Sequence, residues 1–253
     1  FWQQLRVLSG GKPVGFKLCV GQPWQFMAIV KAMIEENDYP DFIVVDGAEG
    51  GTGAAPVEFM DNVGMPLLDG FLLVHNTLVG AGIRDKIKIG VSGKIISAFD
   101  LARMLALGAD WCNSARGFMF AVGCIQSRSC HTNRCPTGVA TQDPYRQRAI
   151  DIPDKSERVY NFHKNTIKSL ASIVGAVGIN HPQDLKPYHI ARRLENGQIK
   201  LLSRYYYFMD DKALLTLTAR SDIYNQMWVM SNPDSFLADN EALVAYNQDA
   251  NER

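Results

Sequence analysis

The first half of the chain repeats one arrangement four times: a short apolar segment, then a segment in which apolar residues recur at helical spacing. Near-continuous apolar strands of this kind are typical of a parallel sheet with both faces covered. Right-handed crossovers then leave two architectures, a closed barrel or an open doubly wound sheet. Both place ligands at the carboxyl ends of the strands, so we expect functional side chains there.

The boundaries of these units follow from local signals. We predict strands at residues 12–20, 41–46, 86–91 and 111–114, and helices at 23–36, within 66–82 and at 97–107. Ser97 and Asp100 stand in capping-box positions at the start of the last of these helices. Residues 1–8 resemble the tail of a helix without an initiator methionine, and four units are half of an eight-unit barrel, so we expect a fragment.

The repeat stops at Asp151, and residues 155–178 have the pattern of one long amphipathic helix. We therefore predict two parts, a barrel-type α/β region over residues 1–150 and a mainly helical extension over residues 151–253.

Composition limits the classes of partner. The 253 residues are 47% hydrophobic, with 26 Lys and Arg against 26 Asp and Glu, so no net field draws the chain to nucleic acid or to an anionic membrane. No apolar run approaches the ~20 residues of a membrane span, and the opening residues do not resemble a signal peptide. A small-molecule partner and a cytoplasmic location are expected, and an anchor in an upstream segment remains open.

Three of the five cysteines lie in one short segment. Cys124, Cys130 and Cys135 are separated by five and four residues, and such clustering in a reducing compartment indicates metal or redox chemistry. A zinc site would need His131 as its fourth ligand, but His131 adjoins Cys130 and neighbouring side chains rarely converge on one ion. Pro136 after the last cysteine is typical of ferredoxin-type loops. An iron–sulfur cluster with three ligands is favoured, with zinc and free thiols as alternatives; the isolated Cys19 and Cys112 are predicted to be buried.

A glycine-rich loop follows the second predicted strand, with glycines at positions 47, 50, 51 and 53. Glycine permits positive φ and lets the backbone approach a flat or phosphorylated ligand. The alternative is a plain connection. The third and fourth strands end near Ser92-Gly93-Lys94 and Ala115-Arg116, where loops of a barrel commonly hold phosphate; the alternative is that Lys94 and Arg116 are solvated surface cations.

Lys17 lies inside the first apolar strand and shares a face with Gly15 and Cys19 by alternation. A buried ammonium group is costly unless it is paired or faces a negatively charged ligand. We favour the ligand, and the alternative is that the side chain reaches water.

Together these motifs resemble the FMN-binding barrel domain of glutamate synthase, and more closely the shorter FMN-binding glutamate-synthase-like proteins. The similarity covers residues 12 to about 144, and its most specific part is GCIQSRSCHTNRCPTGVATQDP at residues 123–144. The resemblance implies a TIM-type (β/α)8 barrel of which this chain holds strands five to eight. It also implies an oxidoreductase of glutamate biosynthesis that reduces 2-iminoglutarate, formed from 2-oxoglutarate and ammonia, to glutamate.

The resemblance assigns roles to individual residues. Cys124, Cys130 and Cys135 would hold a 3Fe-4S cluster, and Lys17 would lie beside the flavin. FMN would contact the residues of three strand-end loops: Gly50, Gly51, Thr52, Gly53, Ser92, Gly93, Lys94, Ala115 and Arg116. Glu49 is a candidate for a polar role near the substrate. An electron donor such as ferredoxin or a reductase subunit is the implied partner.

Some positions depart from the family pattern. The family tends to read GHDGGTGAS where this chain has Gly47, Ala48 and Glu49 before the glycines, and its phosphate loops usually carry acidic, glycine and threonine residues in place of Ser92, Lys94 and Arg116. A related flavin oxidoreductase with another substrate is therefore one alternative. A non-catalytic module with a structural zinc loop is another.

Overall fold

The computed structural model describes residues 1–49, 58–60 and 62–251. Its strands are β1 (Gly15–Cys19), β2 (Phe42–Asp46), β3 (Lys88–Ser92), β4 (Trp111–Asn113), β5 (Ala191–Arg193) and β6 (Ile199–Leu201). Its helices are α1 (Trp2–Leu8), α2 (Pro23–Glu35), α3 (Leu67–Gly80), α4 (Ala98–Ala106), α5 (Arg116–Val122), α6 (Pro144–Gln147), α7 (Ile152–Ala176), α8 (Leu202–Tyr205), α9 (Asp222–Met230) and α10 (Asn240–Asn251). None of the helices in these ranges has the length and apolar character needed to cross a bilayer.

The four strands and the helices predicted in the first half are present. Where both ends of an element were predicted, each end differs from the observed one by three residues or fewer. Local chemistry explains this agreement. The hydroxyl of Ser97 accepts the backbone N–H of Asp100, and the Asp100 carboxylate accepts the N–H of Ser97 at 2.9 Å, so the predicted capping box forms. Pro23 stands at the start of α2, where its missing N–H costs nothing.

The first four strands form one sheet in the order β1-β2-β3-β4. β3 and β4 are parallel, with Val91 opposite Cys112. The backbone N–H of Lys88 donates to the carbonyl of Asp41 at 3.0 Å, and that of Gly47 donates to Ser92 at 2.9 Å. The start of β3 therefore pairs with the start of β2 and its end with the end of β2, as in parallel strands. Four consecutive strands in sequence order fit part of a barrel, because doubly wound sheets reverse their strand order.

The chain divides into two compact units, and the first comprises residues 1–45, 68–89 and 207–253. In this unit α2 packs against α9, and α9 packs against α10. Phe26 and Met27 of α2 and Trp228 of α9 are buried. The ammonium group of Lys31 donates to the carbonyl of Ser231 at 2.8 Å and lies 5.2 Å from the Trp228 ring centroid.

The second unit comprises residues 46–67 and 90–206. Here the long helix α7 packs against α4 and α5. Phe162 of α7 meets Phe118 edge to face, with ring centroids 5.1 Å apart. It also lies where a side chain on Gly117 would stand, so the small residue lets α5 approach α7. The predicted long helix is confirmed, and the predicted boundary at residue 150 stays a prediction.

The antiparallel hairpin of β5 and β6 was not predicted. Its turn is Glu195-Asn196-Gly197, in which Gly197 has φ +80 and the backbone N–H of Leu194 donates to Gln198 at 2.8 Å. A three-residue turn with glycine in the left-handed region is a common hairpin connection. The Asn-Gly pair was therefore the available signal, and it lies in a stretch without polar and apolar alternation.

Candidate functional site

The carboxyl ends of β2 and β3 meet in the second unit. Gly47 donates its N–H to the carbonyl of Ser92 at 2.9 Å. Gly93 has φ +153, and a Cβ atom placed on it would lie 3.2 Å from the Leu67 Cβ and 3.4 Å from the Gly47 Cα. Two glycines thus let two strand ends and the start of α3 come together, at the edge where ligands of parallel sheets bind.

Glu49 follows β2 and reaches the start of α3. Its Oε1 atom accepts the backbone N–H of Leu67 at 3.3 Å. A carboxylate at this position satisfies one of the free N–H groups of the helix and complements its dipole. The Oε2 atom is buried and has no hydrogen-bond partner among the described residues. The geometry gives Glu49 a structural contact, and its predicted role near a substrate stays a prediction.

The loop after β4 is tied to the loops after β2 and β3. Arg116 donates from Nη2 to the carbonyl oxygen of Glu49 at 2.9 Å. Ser114 donates its hydroxyl to the carbonyl of Ile95 at 2.8 Å. Three successive strand-end loops are therefore linked by side chains that donate to backbone carbonyls. Arg116 is in this way more than a solvated surface cation, the alternative that its sequence position left open.

Lys94 and Ala115, two further predicted flavin contacts, lie in the loops after β3 and β4. Lys94 has φ +44 in the turn after β3, and Ala115 stands immediately before α5. The predicted loop residues Gly50, Gly51, Thr52 and Gly53 lie outside the described residues. Their predicted contacts with FMN stay predictions.

Lys17 and Cys19 lie on β1, in the first unit, and both are exposed. The prediction that Cys19 is buried is wrong, because β1 is the end strand of the described sheet order and the face that carries these two side chains is open. The exposure of Lys17 agrees with the alternative in which its ammonium group reaches water. Its predicted position beside a flavin stays a prediction.

Cys112 behaves differently from Cys19. It lies on β4, and burial raises the pKa of its thiol to about 12. A thiol with such a pKa remains protonated at neutral pH and reacts slowly. Cys112 is half-buried, and the prediction that it is fully buried holds only in part.

The segment that carries the cysteine motif begins where α5 ends. Gly123 adopts φ +116 as the C-cap of α5, and Cys124 follows it. Cys130 opens a 3-10 turn that ends at Thr132. Cys135 is the most enclosed of the three, with 5% of its surface exposed. The three thiols share one loop between α5 and α6.

Asn133 organises this loop, a role that the sequence did not reveal. It has φ +60, in the left-handed region that asparagine tolerates better than most residues. Its side-chain oxygen accepts the hydroxyl of Thr141 at 2.9 Å and the N–H of Gln142 at 2.6 Å. These bonds join the cysteine segment to the residues after it.

The sulfur atoms of Cys135 and Cys124 have hydrogen-bond partners. Burial opposes ionisation of Cys135, but the Thr137 hydroxyl and the backbone N–H groups of Ala140, Thr137 and Val139 outweigh it and hold the pKa of this thiol below its usual value. Cys124 Sγ accepts the backbone N–H of Gln126 at 3.5 Å. Such bonds favour the thiolate that binds metal, and they tune iron–sulfur clusters.

These donors fit a sulfur-ligated centre in chemical type. No group of three or more His, Cys, Asp or Glu side chains within the described ranges is arranged to hold a metal ion. The assignment of Cys124, Cys130 and Cys135 as ligands therefore stays a prediction.

Comparison with known proteins defines the class of this chain. The conserved region in glutamate synthase matches residues 1–180, and the chain belongs to that family.

Among its relatives is the glutamate synthase large subunit-like protein YerD of Bacillus subtilis, which is 43% identical over 199 residues, 79% of this chain and 38% of that protein. The archaeal glutamate synthase [NADPH] of Archaeoglobus fulgidus is 33% identical over 69% of this chain and 34% of its own length. The chain thus spans little more than a third of these curated relatives. A mutant flavocytochrome b2 with benzoylformate covers 87% of this chain and 44% of its own at 12% identity and a TM-score of 0.45, a similarity too low to support further conclusions.

Proposed function

We propose that the intact protein is an FMN- and iron–sulfur-dependent oxidoreductase that reduces 2-iminoglutarate to glutamate. Membership in the glutamate synthase family supports this proposal. The structural observation that carries it is the linkage of three strand-end loops through Gly47, Ser92, Arg116 and Glu49. In the proposal, this chain supplies strands five to eight of a (β/α)8 barrel in a cytoplasmic enzyme.

FMN, when bound, would supply hydride to the imine, and a 3Fe-4S cluster would supply electrons one at a time from a donor such as ferredoxin or a reductase subunit. The chain's own part is to hold these groups. Ser92, Gly93 and Lys94, with Ala115 and Arg116, offer backbone N–H groups and two cations at adjacent strand ends, which suits a phosphate. Gly50, Gly51, Thr52 and Gly53 would complete the flavin contacts.

The cysteines would hold the cluster through three sulfur ligands, and the hydrogen bonds to Cys135 and Cys124 support that role. Lys17 would place a positive charge near the flavin ring and stabilise negative charge there. Glu49 would present a carboxyl oxygen beside the glycine loop.

The reaction is tested with anaerobic full-length protein whose flavin has been reduced. Addition of 2-oxoglutarate and ammonium should reoxidise the flavin, seen as recovery of its visible absorbance, with glutamate formed in equal amount. Flavin that stays reduced would reject glutamate formation and favour the second candidate below.

The role of Lys17 has its own test. Lys17→Met should lower the reduction potential of bound flavin, because a cation near the ring favours the more negative reduced state. Lys168→Met, on the exposed side of α7, is the matched control and should leave the potential unchanged. Equal potentials in both variants would remove Lys17 from the proposal.

A related flavin oxidoreductase with another substrate is the second candidate. The observation that favours it is that Glu49 and Arg116, which depart from the family pattern, both make specific contacts. Glu49 accepts the N–H of Leu67 at the start of α3, and Arg116 donates to the Glu49 carbonyl. A fold and a cofactor do not fix a substrate. Reoxidation by another imine or carbonyl compound, without a response to 2-oxoglutarate and ammonium, would support this candidate.

A further inference from the structure

The hairpin of β5 and β6 concentrates positive charge in a chain without net charge. Residues 191–204 contain the cations Arg192, Arg193, Lys200 and Arg204 and a single carboxylate, that of Glu195. All five side chains are exposed. Among the residues that the structure describes, none of these cations forms an ion pair. The balanced composition of the whole chain therefore conceals a local cationic surface.

Pairing in the hairpin places two of these cations together. Arg192 stands directly opposite Lys200, while Arg193 stands opposite Ile199. Opposite residues of an antiparallel pair project from the same face, and neighbours along a strand alternate. Arg192 and Lys200 therefore share one face. Like charges in such a pair destabilise a sheet, so an anion at this face would relieve a repulsion that the hairpin otherwise bears.

Aromatic contacts hold Arg192 in place. Its guanidinium carbon lies 4.7 Å from the ring centroid of Tyr205, and Nη1 donates to the Tyr206 hydroxyl at 3.4 Å. The two tyrosine rings meet edge to face, with centroids 4.7 Å apart. A guanidinium ordered by stacking loses less entropy when it binds a carboxylate in bidentate geometry. The face is therefore ordered for anion recognition before any ligand arrives.

The hairpin is attached to the rest of its unit at its base, and the face of Arg192 and Lys200 is open to solvent. Ile190 and Leu202, which flank the strands, are buried and joined by a backbone hydrogen bond of 2.9 Å. Every residue of β5 and β6 is exposed. The hairpin is thus fixed at its base while its strands face solvent.

The opposite face distinguishes between the classes of anionic partner. Exposed Ile199 and Leu201 lie there with Arg193. The face of Arg192 and Lys200 therefore carries the pair of cations and none of the aliphatic residues of the strands. A flat anionic bilayer would need the cations and the aliphatic side chains on the same side to engage both. A narrow chain segment can instead lie along the face of Arg192 and Lys200 alone.

We propose that the β5–β6 hairpin is a docking site for an acidic polypeptide segment, whose carboxylates contact Arg192 and Lys200. The residues of the hairpin differ from those of the strand-end loops and of the cysteine loop. It lies outside residues 1–180, to which the family match extends.

The test measures binding of a fluorescein-labelled peptide of glutamate and glycine to the full chain by anisotropy. The dissociation constant should rise at least about fivefold in Arg192→Gln/Lys200→Gln, as expected for the loss of two exposed ion pairs. Added salt should weaken binding. Lys164→Gln/Lys168→Gln on α7 removes the same charge and is the matched control. Urea unfolding of the hairpin variant and the control variant checks that both are folded under the conditions of the binding measurement.

Three outcomes would overturn the proposal. One is equal binding by the hairpin variant and the control variant. Another is equal binding of a peptide with glutamine in place of glutamate. The last is binding to vesicles of phosphatidylglycerol, but not to the glutamate peptide, in a manner that requires Arg192 and Lys200, since this would assign the surface to a membrane.

Discussion

At the scale of single residues, glycines decide how closely strands approach. A Cβ atom on Gly90 of β3 would overlap the indole ring of Trp111 on β4. Gly175, near the end of α7, has no atom within 4 Å of the position a Cβ would occupy. The same substitution should therefore have opposite effects at the two positions.

We predict that Gly90→Ala destabilises the chain by about 1–3 kcal/mol, the usual cost of overpacking. Gly175→Ala should stabilise it by about 0.5–1 kcal/mol, because alanine favours the helix and restricts the unfolded chain. Urea unfolding midpoints measure both changes. Equal effects of the two substitutions would contradict the packing of β3 against β4.

Thiol reactivity provides a second residue-scale prediction. Cys19 is exposed, whereas burial raises the pKa of the Cys112 thiol to about 12. Iodoacetamide at neutral pH should therefore modify Cys19 much faster than Cys112, as followed by mass spectrometry of the two peptides. Cys112 that reacts as fast as Cys19 in folded protein would contradict the raised pKa of its thiol.

At the scale of elements, one buried amide joins α3 to the C-terminal segment of the first unit. The side chain of Asn76 donates to the Tyr207 carbonyl at 3.0 Å and to the Tyr224 hydroxyl at 3.2 Å, and accepts the N–H of Met209 at 3.0 Å. Asn76→Ala should cost about 2–4 kcal/mol, because buried backbone groups lose their partners. Tyr224→Phe removes a single bond and should cost about 1 kcal/mol. Calorimetric unfolding measures both losses of stability, and equal losses in the two variants would contradict this hydrogen-bond network.

Asp41 accepts a hydrogen bond from Arg6 of α1, and its ionisation gives a pH-dependent prediction. The pKa of Asp41 is lowered chiefly by the backbone N–H of Val14, at 2.6 Å from its carboxylate, and further by Arg6. A lowered pKa in the folded state adds stability above the ordinary value of 3.8, and this stability is lost as pH falls through the folded value.

Asp41→Asn should therefore unfold more easily at neutral pH, by at most about 1 kcal/mol for so exposed a group. Its difference from the parent chain should shrink as pH falls below 3.8. Asp211→Asn, at an exposed aspartate of the same unit, should show little effect. A difference for Asp41→Asn that stays constant with pH would contradict the assigned cause.

At the scale of the whole molecule, sequence predicted what local chemistry determines. The capping box at Ser97, the Pro23 start of α2 and the apolar strands depend on neighbouring residues and were found. The contacts of Glu49 with Leu67 and of Arg116 with Glu49 join residues 18 and 67 positions apart, and spacing along the chain does not reveal such pairs. Cys19 was misassigned because a strand's apolar pattern does not show which of its faces is covered. The β5–β6 hairpin had a turn signal but no alternating strands.

The central proposal is that Cys124, Cys130 and Cys135 hold an iron–sulfur cluster in the intact protein. The most direct measurement is iron, acid-labile sulfide and zinc analysis of full-length protein purified without oxygen, beside a variant with Cys130→Ser. We predict a brown protein with iron and sulfide in the proportions of a 3Fe-4S cluster, both lost in the variant. A colourless protein with stoichiometric zinc and no sulfide would contradict the proposal.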